Sequence, residues 1–197
     1  MMSERPALVQ ESSLESIESW CNRPYIGDAL RGQILKANVL LVPIEGFRER
    51  TDPMFPQGTE DLLQFLRESP NEDIKADICI EDEDYRELAL HFDLLVLAGA
   101  VVTLVVAPIV ADLISEYIKR RLGSREPETI VRSELIVYDE TTGRSVRLSY
   151  EGPASAYRDT MGNAIHGMCI SPSLGLPPPE HLETESGTTQ PIGGHED

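Results

Sequence analysis

Residues 74–80 alternate along the chain. Ile74, Ala76, Ile78 and Ile80 point one way and Lys75, Asp77 and Cys79 the other, which predicts a half-buried strand. Residues 129–138 and 145–151 predict two more strands, with Val146, Leu148 and Tyr150 on one face and Ser145, Arg147 and Ser149 on the other. Between them, Asp139-Glu140-Thr141-Thr142-Gly143-Arg144 reads as a hairpin loop with a glycine free to take positive φ. Residues 38–44, NVLLVPI, are apolar without alternation, too short for a helix and rich in branched side chains, so they predict a buried strand ending near Pro43.

Helical spacing occurs elsewhere. Ser12 or Ser13 is placed to cap a short helix with Leu14, Ile17 and Trp20 on one side, stopped by Asn22-Arg23-Pro24. A second short helix is expected from Asp28 to Lys36. Thr59 caps a third, with Glu60 and Asp61 in the first turn, where acids favour the dipole, and with Leu62, Leu63 and Leu66 on its buried side. Gly152-Pro153 begins a last short helix, expected to end near Met161.

One stretch has no period at all. Residues 94–111, LLVLAGAVVTLVVAPIVA, run for 18 residues without a charge, and Thr103 is the only polar side chain. The pattern after Pro108 is amphipathic through Leu113, Ile114, Tyr117, Ile118 and Leu122 and stops at Gly123. These residues predict one long helix that begins in the acidic run Glu81-Asp82-Glu83-Asp84, continues through Leu88, Phe92 and Leu95, and is kinked or interrupted at Pro108. The resulting fold class is α+β: a small mixed sheet of about four strands, in the order β-α-β-long α-β-β-α, packed against a central long hydrophobic helix. The domain plan is an N-terminal arm over 1–24 with residues 1–11 as a flexible lead, a single domain over 25–161, and a disordered Pro/Gly/acidic tail over 162–197.

Charge narrows the function. Thirty-four acids against 17 basic residues give −17, a surface that repels nucleic-acid backbones, so no nucleic-acid partner is expected. The three cysteines, Cys21, Cys79 and Cys169, are odd in number and unpaired in spacing, and no basic-then-apolar signal opens the chain; both point to reduced thiols in the cytoplasm. The competing expectation is a single membrane span over residues 94–111, flanked by Lys119-Arg120-Arg121.

Candidate chemistry is sparse. The run Glu81-Asp82-Glu83-Asp84 offers hard oxygens for Ca²⁺ or Mg²⁺, yet lacks the spacing and central glycine of an EF-hand and reads better as a solvated helix start. Cys79 and His91 are a conceivable thiol–imidazole pair without a third orienting group. His166, His181 and His195 are too widely spaced for a metal cage. The chain has no GxGxxG, no GxxxxGK[ST] and no Gly-x-Ser-x-Gly. No catalytic residue, metal or cofactor is therefore expected. The expected role is a non-enzymatic interaction or accessory module that self-associates or docks a protein partner through its hydrophobic helix. The residues expected to carry contacts are Trp20, Val102, Val105, Ile109, Tyr117, Arg144 and Arg147.

Overall fold

The computed structural model describes residues 6–48, 51–89, 94–123 and 128–170. The chain opens with β1 (Ala7–Ser13), two short helices, α1 (Ile17–Cys21) and α2 (Asp28–Ile34), and strand β2 (Val39–Val42). Then come β3 (Phe55–Pro56), α3 (Thr59–Arg67), β4 (Ala76–Ile78), β5 (Glu87–Leu88), β6 (Leu94–Val96) and β7 (Gly99–Thr103). Helix α4 (Ala107–Leu122), strands β8 (Ile130–Asp139) and β9 (Arg144–Pro153) and helix α5 (Tyr157–Ile170) complete it. The fold is α+β, with a mixed sheet of seven strands in the order β1-β9-β8-β7-β2-β4, and β6 also paired to β8. Strands β3 and β5 form a small parallel pair, where Phe55 stacks on Tyr85 at 5.3 Å.

The four strands legible in the sequence are β2, β4, β8 and β9. The hairpin β8–β9 pairs antiparallel from Ile130↔Pro153 to Asp139↔Arg144. Its loop is fixed by Asp139, whose carboxylate accepts the Thr141 amide at 2.9 Å and the Thr142 hydroxyl at 2.7 Å. Those bonds, that from the Thr142 side chain first, hold the Asp139 pKa below its usual value. Helix α3 joins β2 to its parallel neighbour β4, and α4 joins β7 to its parallel neighbour β8, as parallel pairs require a crossover.

The long hydrophobic helix is corrected. Residues 94–103 are strands β6 and β7, a turn follows, and the helix starts only at Ala107. The reason is burial on both faces. Ala100 and Val102 pack into the core under α4, while Val101 packs into the opposite core under α1 and α2. An interior strand covered on both sides loses its alternation and reads like a buried helix. Pro108 does not kink a helix; it occupies the first turn of α4, where its missing N–H has no intrahelical partner to lose. The acidic run 81–84 is likewise no helix start, but a turn leading towards β5. Among the described residues, no helix is long and apolar enough to cross a membrane, so the span expected over residues 94–111 is also withdrawn.

Three further corrections concern the ends. Residues 7–13 are not a flexible lead; they form β1, paired along its full length with β9. Gly152 permits this, since a Cβ there would lie 2.8 Å from Pro6 Cα. The first helix is capped by Ser16, whose side chain accepts the Ser19 amide, and not by Ser12 or Ser13; Leu14 stays 95% exposed. The last helix runs to Ile170, anchored by Tyr157, Met161 and Ile165 one turn apart, all fully buried. The tail expected to be disordered over 162–197 thus begins inside α5, and residues 171–197 lie outside the described residues.

Candidate functional site

The two faces of the sheet are treated differently, and this difference makes the site. On one face α3, α4 and α5 cover the strands from β4 to β9 with a single apolar core that includes Leu62, Val110, Ile118, Tyr157 and Met161. On the other face α1 and α2 cover only an apolar patch of Leu40, Val42, Val101 and Ile136. Beyond Ile136 the same face turns polar. Arg132 and Glu134 on β8 stand beside Arg147, Ser149 and Glu151 on β9, by the hairpin register. No helix of the described residues lies over them, and a cavity of about 640 Å³ opens there, walled by Trp20 and the 43–45 segment.

Strand β6 and strand β7 shape its floor. Where they meet, Leu97, Ala98 and Gly99 stand against only Ser133 and Glu134 of β8, which is a bulge. The bulge brings Leu97 and Ala98 both into the covered core, while Leu97 and Gly99 also line the cavity. A Cβ on Gly99 would lie 3.1 Å from Val42 Cγ2 and 3.7 Å from Glu134 Oε1, so a side chain there would crowd Val42 and touch that carboxylate.

Arg147 is the centre of the polar half. Its guanidinium donates to Glu134 at 2.6 Å and also to Glu15, which reaches in from the segment between β1 and α1. Burial alone would lower the Arg147 pKa, but the two carboxylates outweigh it and the pKa is raised. Beside this triad, Arg132 Nε and Nη2 both donate to Glu151 Oε2, at 3.0 and 2.8 Å. At the rim, Arg23 lies 4.5 Å over the Trp20 ring and pairs with Glu45 at 3.1 Å. The Tyr25 hydroxyl donates to the same carboxylate at 2.8 Å. Burial first, and then that bond, push the Tyr25 pKa well above its usual value.

The lining therefore holds four carboxylates, Glu15, Glu45, Glu134 and Glu151, against the guanidiniums of Arg132 and Arg147 and, at the rim, that of Arg23, an excess of one negative charge. All three guanidiniums are already engaged. The field left over is negative, and a cationic group is what it attracts. The Trp20 indole backs this wall as a buried side chain, and its Nε1 finds no hydrogen-bond partner among the described residues.

Of the residues expected to carry contacts, Trp20 and Arg147 come together at this cavity. The others do not. Val102 is fully buried in the core under α4, and Tyr117 is buried there with its hydroxyl donating to the Gly58 carbonyl at 3.1 Å. Val105 is 83% exposed in the turn before α4, Ile109 is half-buried on α4, and Arg144 is exposed at the start of β9. Glu15, Glu134, Arg132 and Glu151 were missed. The hairpin loop fixes the β8–β9 register, so Arg132 and Glu134 were within reach of the same reasoning that noticed Arg147.

The pairing of Cys79 with His91 has no structural support, because His91 lies outside the described residues and Cys79 is fully buried. Burial, followed by the nearby Cys21, pushes the Cys79 thiol up to about 12, so its reactive thiolate is not formed at neutral pH. Cys21 is also buried with a raised pKa, whereas Cys169 is exposed. Under native conditions a chromogenic disulfide reagent should therefore titrate one thiol rapidly and all three only after denaturation; rapid reaction of two would contradict the packing of Cys21 and Cys79. Among the described residues, no group of three or more His, Cys, Asp or Glu side chains is arranged to hold a metal ion.

No family model, curated protein or solved structure matches this chain.

Proposed function

We propose that the protein is a non-enzymatic interaction module that receives a cationic segment of a protein partner on the polar half of its sheet. The observation that carries this reading is the half-covered face, where an acidic cavity lies open beside the end of helix α1. Such a cavity suits a peptide with a basic side chain and an apolar neighbour: the carboxylates attract the charge, and Ala7, Val9 and Val96 of the lining offer apolar contact. The polar groups of the cavity are committed to ion pairs with one another, a pattern of positioning and not of a nucleophile beside a base. Docking through residues 94–111 is set aside, because most of that segment is enclosed in the two cores. The buried thiols Cys21 and Cys79 suit a protein of the cytoplasm, and no cofactor enters the reading.

Trp20 is the single tryptophan, so its emission reports on this cavity alone. A short peptide of arginine and leucine should change that emission saturably. A peptide of glutamate and leucine of equal length should not. Glu134→Gln should weaken the first response by roughly fivefold, and added salt should weaken it further. Equal responses to both peptides, or none to either, would overturn the reading.

A further inference from the structure

The sheet ends in two edges that are built in opposite ways. At one end, β4 is three residues long, and two of its outer groups are capped from within the chain: Arg67 Nε donates to the Ala76 carbonyl at 3.1 Å and the Ile78 amide donates to Asp77 Oδ1 at 2.9 Å. The Arg67–Asp77 ion pair at 2.8 Å holds both caps in place. That edge is sealed against another strand. At the other end β1 presents seven residues, and its outer side faces no further strand among the described residues. Between Ala7 and Ser13 it has none of the usual protections: no proline, no lysine, no bulge, and Glu11 as its one charge. Of the four exposed large hydrophobic side chains among the described residues, two, Val9 at 50% and Leu14 at 95%, lie in or directly after it.

We propose that β1 is the surface on which a second copy of this chain docks, edge to edge and antiparallel, about a twofold axis at Gln10. The charge pattern selects this occupant and this register. A chain carrying −17 can meet its own copy only over a surface almost free of charge, and β1 is such a surface. With Gln10 opposite the second copy's Gln10, Ala7 faces Ser13 and Leu8 faces Ser12. Glu11 then faces Val9, so no acid is set against an acid. Residues directly opposite share a face, so the two acidic half-faces lie side by side on one continuous sheet. The second copy's Val9 joins the Ala7 and Val9 that already border each cavity. The inference stands on the strand edge and does not depend on what the cavity binds.

The test compares two single substitutions of equal charge, measured on the full chain by sedimentation equilibrium. Both positions are exposed, and circular dichroism shows whether each variant stays folded. Val9→Lys sets a lysine opposite Glu11 twice per dimer and should preserve or tighten association. Gln10→Lys sets lysine against lysine on the axis. Its dimer dissociation constant should be about tenfold above that of Val9→Lys. A wild-type chain that remains monomeric at about 100 µM overturns the proposal, as do variants of equal affinity or of reversed order.

Discussion

Val102→Lys should unfold the protein, while Val105→Lys, three residues later, should leave its stability within about 0.5 kcal/mol of wild type. Val102 is fully buried on an interior strand, between Val39 of β2 and Val137 of β8. A lysine there either buries its ammonium or tears the strand out, and the loss is expected to be about 4 kcal/mol or more, a large part of a typical domain's stability. Val105 sits 83% exposed in the turn before α4 and loses nothing by becoming polar. The contrast is diagnostic. On one continuous helix the two positions, three apart, would share a face and a fate. Urea unfolding midpoints of the two variants decide the matter, and equal midpoints would argue against a strand and turn.

Trp20→Ala should be nearly as damaging, by about 3–5 kcal/mol, the range for removing a buried aromatic side chain. Helix α1 has only five residues and is held to the sheet by Ile17, Trp20 and Cys21. A helix so short has no stability of its own and depends on that packing. Trp20→Phe should cost far less, about 1 kcal/mol, since the indole N–H it removes has no partner among the described residues and its burial is itself unfavourable. Thermal unfolding of both variants measures the difference. A phenylalanine variant as unstable as the alanine one would mean that the indole N–H is engaged after all.

What could be read from the sequence depended on how unequal the two sides of each element are. Strands β8 and β9 have one face in the core and, for much of their length, one facing solvent, so Val146, Leu148 and Tyr150 stood out against Arg147 and Ser149. Helix α3, with one side buried, was equally plain. Strand β7 failed for the opposite reason: with Val101 and Val102 buried in different cores, it has no polar side to set its period. Strand β1 failed because Leu8 is its one side chain packed against the core, and the pairing with β9 that holds it is backbone and leaves no pattern in side chains. Helix α5 was cut short before Gly162, whose low helix propensity the tertiary anchors at Tyr157, Met161 and Ile165 override.

The site was legible in part, and along the same division. Arg147 was visible as a charged residue on the outer face of a predicted strand, and Trp20 as the end of an apolar stripe. That they meet follows from the placement of α1 over the junction between the apolar patch and the polar half. This placement depends on β7 being a strand, because Val101 is part of the patch on which α1 rests. The misreading of residues 94–111 therefore hid the cavity as well as the sheet.

The most direct measurement is a set of proton–proton contacts at Val102 by nuclear magnetic resonance. If the sheet is built as described, the Val102 backbone protons should show cross-strand contacts to Val39 on one side and Val137 on the other, matching the register. A ladder of contacts three residues apart running unbroken from residue 94 to residue 111 would contradict it, and the half-open face would go with it.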